Sequence, residues 1–242
     1  MKTHRNIQII CVTLAVCLVA AAFCMQHIHR VASVSTAPQN PVREIVIDPG
    51  HGGMDGGATG VGGIIEKDIN LSISLKLRDI LTANGFHVVM TRDKDESIHD
   101  KKVDEQDVLS QKKADMRNRL KIIQKNPDSL TVSIHQNQFG QSQYSGAQMF
   151  YGPNNPQSEI LAKSLQQAFV TNLQKDNTRE IKKAQKDLFL LYYANTPAVL
   201  VECGFLSNPT EAANLADEEY QSKVAFTIFC GISKYLAQDE QT

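Results

Sequence analysis

Net charge is almost absent from this 242-residue chain, in which 25 basic residues face 26 acidic ones, for a balance of -1 and a pI near 6.6. No global basic field exists to collect nucleic acid or to draw the chain onto anionic lipid, so no nucleic-acid partner is expected. Cysteine is scarce where a fold would use it: Cys11, Cys17 and Cys24 share one N-terminal apolar run, leaving Cys203 and Cys230. A bridge between those two is indicated by no spacing rule, and two buried small apolar side chains suit them better. Phosphate-loop chemistry is also missing. A glycine-dense stretch holds Gly50, Gly52, Gly53, Gly56, Gly57, Gly60, Gly62 and Gly63, but no Gly-Lys-Ser or Gly-Lys-Thr follows it and its intervals do not fit Gly-x-Gly-x-x-Gly. A His-Glu-x-x-His helix is absent, as are internal repeats and low-complexity tracts.

What is present begins with Lys2 and Arg5 ahead of residues 9–25, an apolar run without a charge. At about 1.5 Å per residue such a helix is near the lower limit for crossing a bilayer. Residues 1–30 therefore read as a signal anchor or a signal peptide, with Ala20, Ala21 and Ala22 offering small residues for cleavage. Basic residues before the run favour an inside N-terminus, which puts the rest of the chain across the membrane. Cys24 invites a lipid anchor, but Phe23 stands where a small residue belongs. Residues 31–43, small and polar with Pro38 and Pro41, read as a linker. One catalytic domain is expected over 44–237, and a short tail over 238–242.

Within that domain β-branched and amphipathic segments alternate. Strands are expected at 44–48, 86–90, 130–135, 148–151, 188–192 and 198–201, and helices at 69–84, 110–125, 158–173 and 224–236. Asp68 is placed to cap the first helix and Gly85 to end it. The order predicts a single α/β domain, with a mostly parallel twisted sheet and helices on both faces.

Reactive groups in such folds gather beyond the carboxyl ends of the strands. His51 follows the first strand, His135 ends the third, Glu202 ends the last, and Glu66 precedes the first helix. Two imidazoles and a carboxylate can hold Zn²⁺ while leaving a position for water, with a further carboxylate to move protons. Each residue also has a plainer reading. His135 suits a satisfied core histidine, Glu66 a carboxylate at a helix N-terminus, and Glu202 a structural ion pair. Cys203 beside Glu202 raises a thiol nucleophile, although no context for a thiolate is apparent.

Taken together, Val46-Ile47-Asp48-Pro49-Gly50-His51-Gly52-Gly53, Glu66-Lys67-Asp68-Ile69-Asn70-Leu71, Thr91-Arg92, Ser133-Ile134-His135, Pro197-Ala198-Val199-Leu200-Val201-Glu202 and Gly204-Phe205-Leu206-Ser207-Asn208 carry a resemblance. The chain resembles the zinc-dependent N-acetylmuramoyl-L-alanine amidases of the type 3 family over residues 45–235. That resemblance implies one Zn²⁺ held by His51, Glu66 and His135, with Glu202 as the catalytic carboxylate. It also implies cleavage of the amide between the lactyl group of N-acetylmuramic acid and L-alanine in peptidoglycan. Arg92 is a candidate for a peptide carboxylate or for a structural ion pair, and Asn137 for substrate contact. Gln136 departs from the family's small residue after the second histidine, and the long inhibitory helix of some division amidases is missing.

A membrane-tethered member without wall-binding repeats is most similar to the germination-specific amidases of spore formers. This implies a role in spore cortex, where a muramic acid deacetylase then forms the muramic δ-lactam. The glycine stretch predicts a slack metal loop that an accessory activating protein would brace. Rival expectations are a zinc carboxypeptidase or endopeptidase on stem peptides, and a noncatalytic wall-binding domain.

Overall fold

A computed structural model describes residues 44–99 and 108–239. The signal segment and linker expected over 1–43, residues 100–107 and residues 240–242 lie outside the described residues. Strand β1 (Glu44–Pro49) is the β-branched run, and its side chains alternate: Ile45 and Ile47 enter one core and Val46 the other. Being buried on both faces, it reads as unbroken apolar sequence over Ile45-Val46-Ile47. Parallel neighbours β2 (His87–Met90) and β3 (Ser129–Asn137) flank it, and β6 (Ala198–Phe205) continues the parallel sheet beside β3. Strand β4 (Gln148–Tyr151) runs antiparallel to β6, and the two-residue β5 (Lys182–Lys183) pairs with β4. The order is β2-β1-β3-β6-β4-β5.

Helices α1 (Glu66–Ala83), α3 (Gln157–Asn172), α5 (Pro209–Ala216) and α6 (Glu218–Asp239) build the larger core, around Ile73, Leu77, Leu165, Phe169 and Ile228. Helices α2 (Val108–Ile123) and α4 (Phe189–Tyr193) cover the other face through Ile123, Leu190 and Leu191. The expected single α/β domain with a mostly parallel sheet and helices on both faces is what the chain forms. Helix α1 buries Ile69, Ile73, Leu77 and Leu81 at intervals of one turn. It ends on Gly85 at φ +86°, with Gly85 N–H donating to the Thr82 carbonyl and Phe86 N–H to that of Leu81. This pair of hydrogen bonds satisfies two carbonyls that a helix end otherwise leaves open.

Several expectations need correction. Asp68 does not cap α1; the N-cap is Ile65, and Glu66 and Asp68 lie inside the first turn, where their charge complements the helix dipole. Residues 188–192, expected as a strand, form α4, because a short apolar run carries no period and here closes Tyr192 N–H to Leu188 O and Ala194 N–H to Leu190 O. Strand β6 continues to Phe205, so Glu202 lies within it rather than at its end. Helix α5 was not anticipated, although Asn208 caps it by accepting from the Thr210 and Glu211 amides, with Pro209 at its first position. Helix α6 runs through Asp239, so Gln238 and Asp239 belong to it rather than to a tail. Among the described residues no helix is long and apolar enough to cross a membrane.

Candidate active site

Side chains that alternate away from the larger core, Asp48 on β1, Ser133 and His135 on β3 and Glu202 on β6, share the face covered by α2 and α4. The β3–β6 register sets His135 opposite Glu202. Beyond β1 the backbone turns through His51 at φ +62°, the one non-glycine residue with positive φ among the described residues. Such a conformation costs of order 1 kcal/mol or more and needs a surrounding structure that imposes it. Gly50 is required there, since a Cβ would collide with the His135 ring, and at Gly57 one would meet Glu66 Oε2 at 2.6 Å.

The imposing structure is two buried arginines. Arg119 Nη1 donates to the Pro49 carbonyl at 2.7 Å and to Asp48 Oδ1 at 2.8 Å, Nη2 to the His51 carbonyl at 2.6 Å, and Nε to Asp115 at 2.7 Å. Arg92 donates from Nε to the Pro49 carbonyl, from Nη1 to that of Lys94, and from Nη2 to those of Gly50 and Lys67. Arg92 is 2% exposed, so the sequence's offer of it to a peptide carboxylate is corrected: its fork holds backbone. The start of the glycine loop is therefore pinned from within, not slack. The unhindered positive-φ glycines of the loop are Gly62 and Gly63.

Burial pushes the Asp48 carboxyl up, but Arg119 and hydrogen bonds from Ser133 and Thr91 outweigh it and hold the pKa at about 2, against an ordinary 3.8. A depressed carboxylate pKa contributes stability that is full above the ordinary value and is lost as pH falls through the folded one. About 2 kcal/mol should thus disappear between roughly pH 4 and 2. Urea unfolding across that range should show it, and Asp48→Asn should flatten this part of the profile; an unchanged slope in the variant would contradict the assignment.

His51, Glu66 and His135 meet above this base, with one ligand atom of each within 4.8 Å of the others. His51 Nε2 lies 3.3 Å from Glu66 Oε2, and His135 Nδ1 lies 3.0 Å from Oε1. Glu66 is further fixed by the Ala58 amide at 2.8 Å, the Gln136 amide at 3.1 Å and Asn70 Nδ2 at 3.2 Å. Burial raises the Glu66 pKa, yet hydrogen bonds to both imidazoles take it far below the carboxylate range. Burial lowers that of His51, but Asp55 at 2.9 Å and Glu66 bring it up to about 9. Asp55 orients the His51 ring as carboxylates commonly orient metal-ligating histidines. Two imidazoles and a carboxylate so arranged are a fitting donor set for a divalent ion.

Glu202 stands beside this set. Its Oε2 is shut off from solvent and has no hydrogen-bond partner among the described residues, and burial pushes its carboxyl up to about 7. An orphaned buried carboxyl oxygen is costly unless it has a function. The plainer reading of Glu202, a structural ion pair, finds no partner among the described residues. Asn137 ends β3 beyond a register shift and faces a groove next to Glu202. Cys203 is fully buried and burial raises its thiol pKa, which suits a packing residue rather than a nucleophile; both Cys203 and Cys230 are free. Asp55, Asn70 and Arg119 escaped the sequence reading. Arg119 carried a signal, since Gln111, Asp115, Arg119 and Ile123 mark one inward stripe of α2 that is mostly polar.

Comparison with known proteins agrees with this geometry. The model of the family described as N-acetylmuramoyl-L-alanine amidase matches residues 45–234. The germination-specific N-acetylmuramoyl-L-alanine amidase of Bacillus subtilis is 40% identical over 194 residues, covering 80% of each chain. The solved CwlD amidase of Clostridioides difficile, in complex with the GerS lipoprotein, is 41% identical with a TM-score of 0.76, over 81% of this chain and 98% of that one. The amidase AmiC2 of Nostoc punctiforme is 31% identical with a TM-score of 0.68, over 80% and 97%. By sequence, fold and the grouping of His51, Glu66, His135 and Glu202, the chain belongs to the N-acetylmuramoyl-L-alanine amidase family and is an amidase acting on peptidoglycan.

Proposed function

We propose that the protein is a zinc amidase that releases stem peptides from N-acetylmuramic acid during spore cortex maturation, outside the membrane to which its N-terminus directs it. The observation that carries the chemistry is the partnerless Glu202 oxygen beside the His51, Glu66 and His135 donors. A zinc ion held by those three residues would supply Lewis acidity, lowering the pKa of water toward about 7 and polarising the scissile carbonyl. Glu202 takes a proton from the attacking water. It then returns that proton to the alanine nitrogen, which leaves poorly as an anion. Asp55 and Asn70 keep His51 and Glu66 in orientation, and the two buried arginines hold the loop that presents His51.

The cortex role rests on likeness to the B. subtilis germination-specific enzyme, and it makes a muramic acid deacetylase the consumer of the product. An accessory protein belongs to the same reading, because the C. difficile relative is found in complex with a lipoprotein. Val61, 46% exposed beside Gly62 and Gly63, marks the segment of the metal loop such a partner would brace.

Metal content tests the ligand set. The parent should hold about one zinc per chain and His135→Ala close to none, since two remaining ligands rarely retain zinc in a four-coordinate site. Full occupancy in the variant would remove His135 from the site.

A further inference from the structure

On the side of Glu202 away from His135, strand β4 sets Gln148 opposite Glu202 and Phe150 opposite Leu200. There the sheet borders a groove of about 310 Å³. Phe139, Tyr144, Phe150 and Phe205 line it, with Phe139 and Tyr144 edge to face at 5.1 Å between ring centres. Two cations, Arg179 and Lys182, complete it. The Arg179 guanidinium lies 4.7 Å from the centre of the Phe205 ring, and its Nε and Nη2 donate to Gln148 Oε1 at 3.3 and 2.8 Å, which leaves the edge with Nη1 for a ligand. Gln148 is itself fixed, as its Nε2 donates to the Glu180 carbonyl at 2.7 Å. Arg179 is thus held in place by neutral groups.

No carboxylate stands within 4.0 Å of Arg179 or Lys182 among the described residues. Glu211, whose charge reaches Arg179, is turned to the amides of Gly146 at 2.9 Å and Phe205 at 2.8 Å. A partly buried guanidinium with no carboxylate in contact, reached only at longer range by the charges of Glu202 and Glu211, favours in this trough of rings a carboxylate that meets its free edge.

The proposed reaction fixes what enters this groove. Glu202 must reach the leaving nitrogen within hydrogen-bond distance. With the acyl side of the amide toward His51 and His135, the peptide side continues past Glu202 over β4. We infer that Arg179, assisted by Lys182, binds a carboxylate of the leaving peptide, so that the enzyme selects substrates by a negative charge downstream of the cleaved bond. This rests on the amidase reading given above. It gives Arg179 the role that the sequence offered to Arg92. The carboxylate has two sources, an acidic residue of the stem and the peptide C-terminus.

Synthetic muramoyl peptides with both carboxylates free, with either one converted to the amide, and with both converted separate these sources. For the parent, amidating the recognised carboxylate should raise KM about tenfold with kcat nearly unchanged, the low end for a hydrogen bond to a charged group. Arg179→Gln should show the same rise on the free-acid substrate and none beyond it on the amidated one. Arg179→Lys should recover part of the loss. A parent indifferent to amidation, or an Arg179→Gln variant that slows every substrate by one factor, would overturn the inference, the second outcome marking a structural role. Should Arg179→Gln not fold, the parent and Arg179→Lys series decide alone. A parent that cleaves no muramoyl amide would instead overturn the amidase reading itself.

Discussion

Glu202→Gln should leave zinc content at the parent level and lower turnover by ~10²-fold or more, because the amide keeps the shape of the side chain but accepts no proton from water. The size of the effect follows from the geometry. Glu202 is opposite His135 in the sheet, and its Oε2 is bound to nothing else among the described residues. No neighbouring group stands ready to replace it, since Glu66 is occupied by both imidazoles and Asp55 by His51 and Lys112. Steady-state rates beside metal analysis check this. Activity within a few-fold of the parent would move proton transfer to another residue.

Arg119→Met should destabilise the fold by about 3–5 kcal/mol, the usual cost of stranding one member of a buried ion pair. Asp48 would lose its cation while remaining at 0% exposure, and the Pro49 and His51 carbonyls would lose donors. Urea unfolding gives the difference directly. Combining Arg119→Met with Asp48→Asn should recover part of the loss by removing the stranded charge. A single variant as stable as the parent would show that the loop holds its shape without the arginine.

Much of this could be read from residue order, for identifiable reasons. Strand β1 announces itself by β-branching, helix α1 by one-turn apolar spacing and strand β4 by its adjacent aromatic residues, and each lies within three residues of where it was expected. Strand β6 ran longer because Glu202 looked like a terminus, although its neighbours Val201 and Cys203 point into the larger core and keep the alternation going. Helix α4 carries five residues without a period, so tertiary packing against α2 decides its state. The capping signal of α5, Asn208 followed by Pro209 and Glu211, was present in the sequence.

The site shows the same division. His51, Glu66, His135 and Glu202 end or interrupt apolar runs, which makes them visible. The supporting residues bond to atoms far away in sequence, many of them backbone carbonyls, as Arg119 does to His51 and Arg92 to Gly50. No spacing rule encodes those partners. Arg92 was open to a peptide carboxylate or to a structural ion pair for that reason, whereas Arg179, 31 residues from Gln148, carried no mark at all.

Mass spectrometry of the products from purified peptidoglycan distinguishes hydrolysis between muramic acid and L-alanine from cleavage further along the stem. Intact stem peptides with a free L-alanine N-terminus are expected, together with glycan whose muramic acid bears an unsubstituted lactyl carboxylate. Products in which alanine stays on muramic acid while the peptide is cut further along would contradict this expectation, and would turn the same residues to peptidase chemistry.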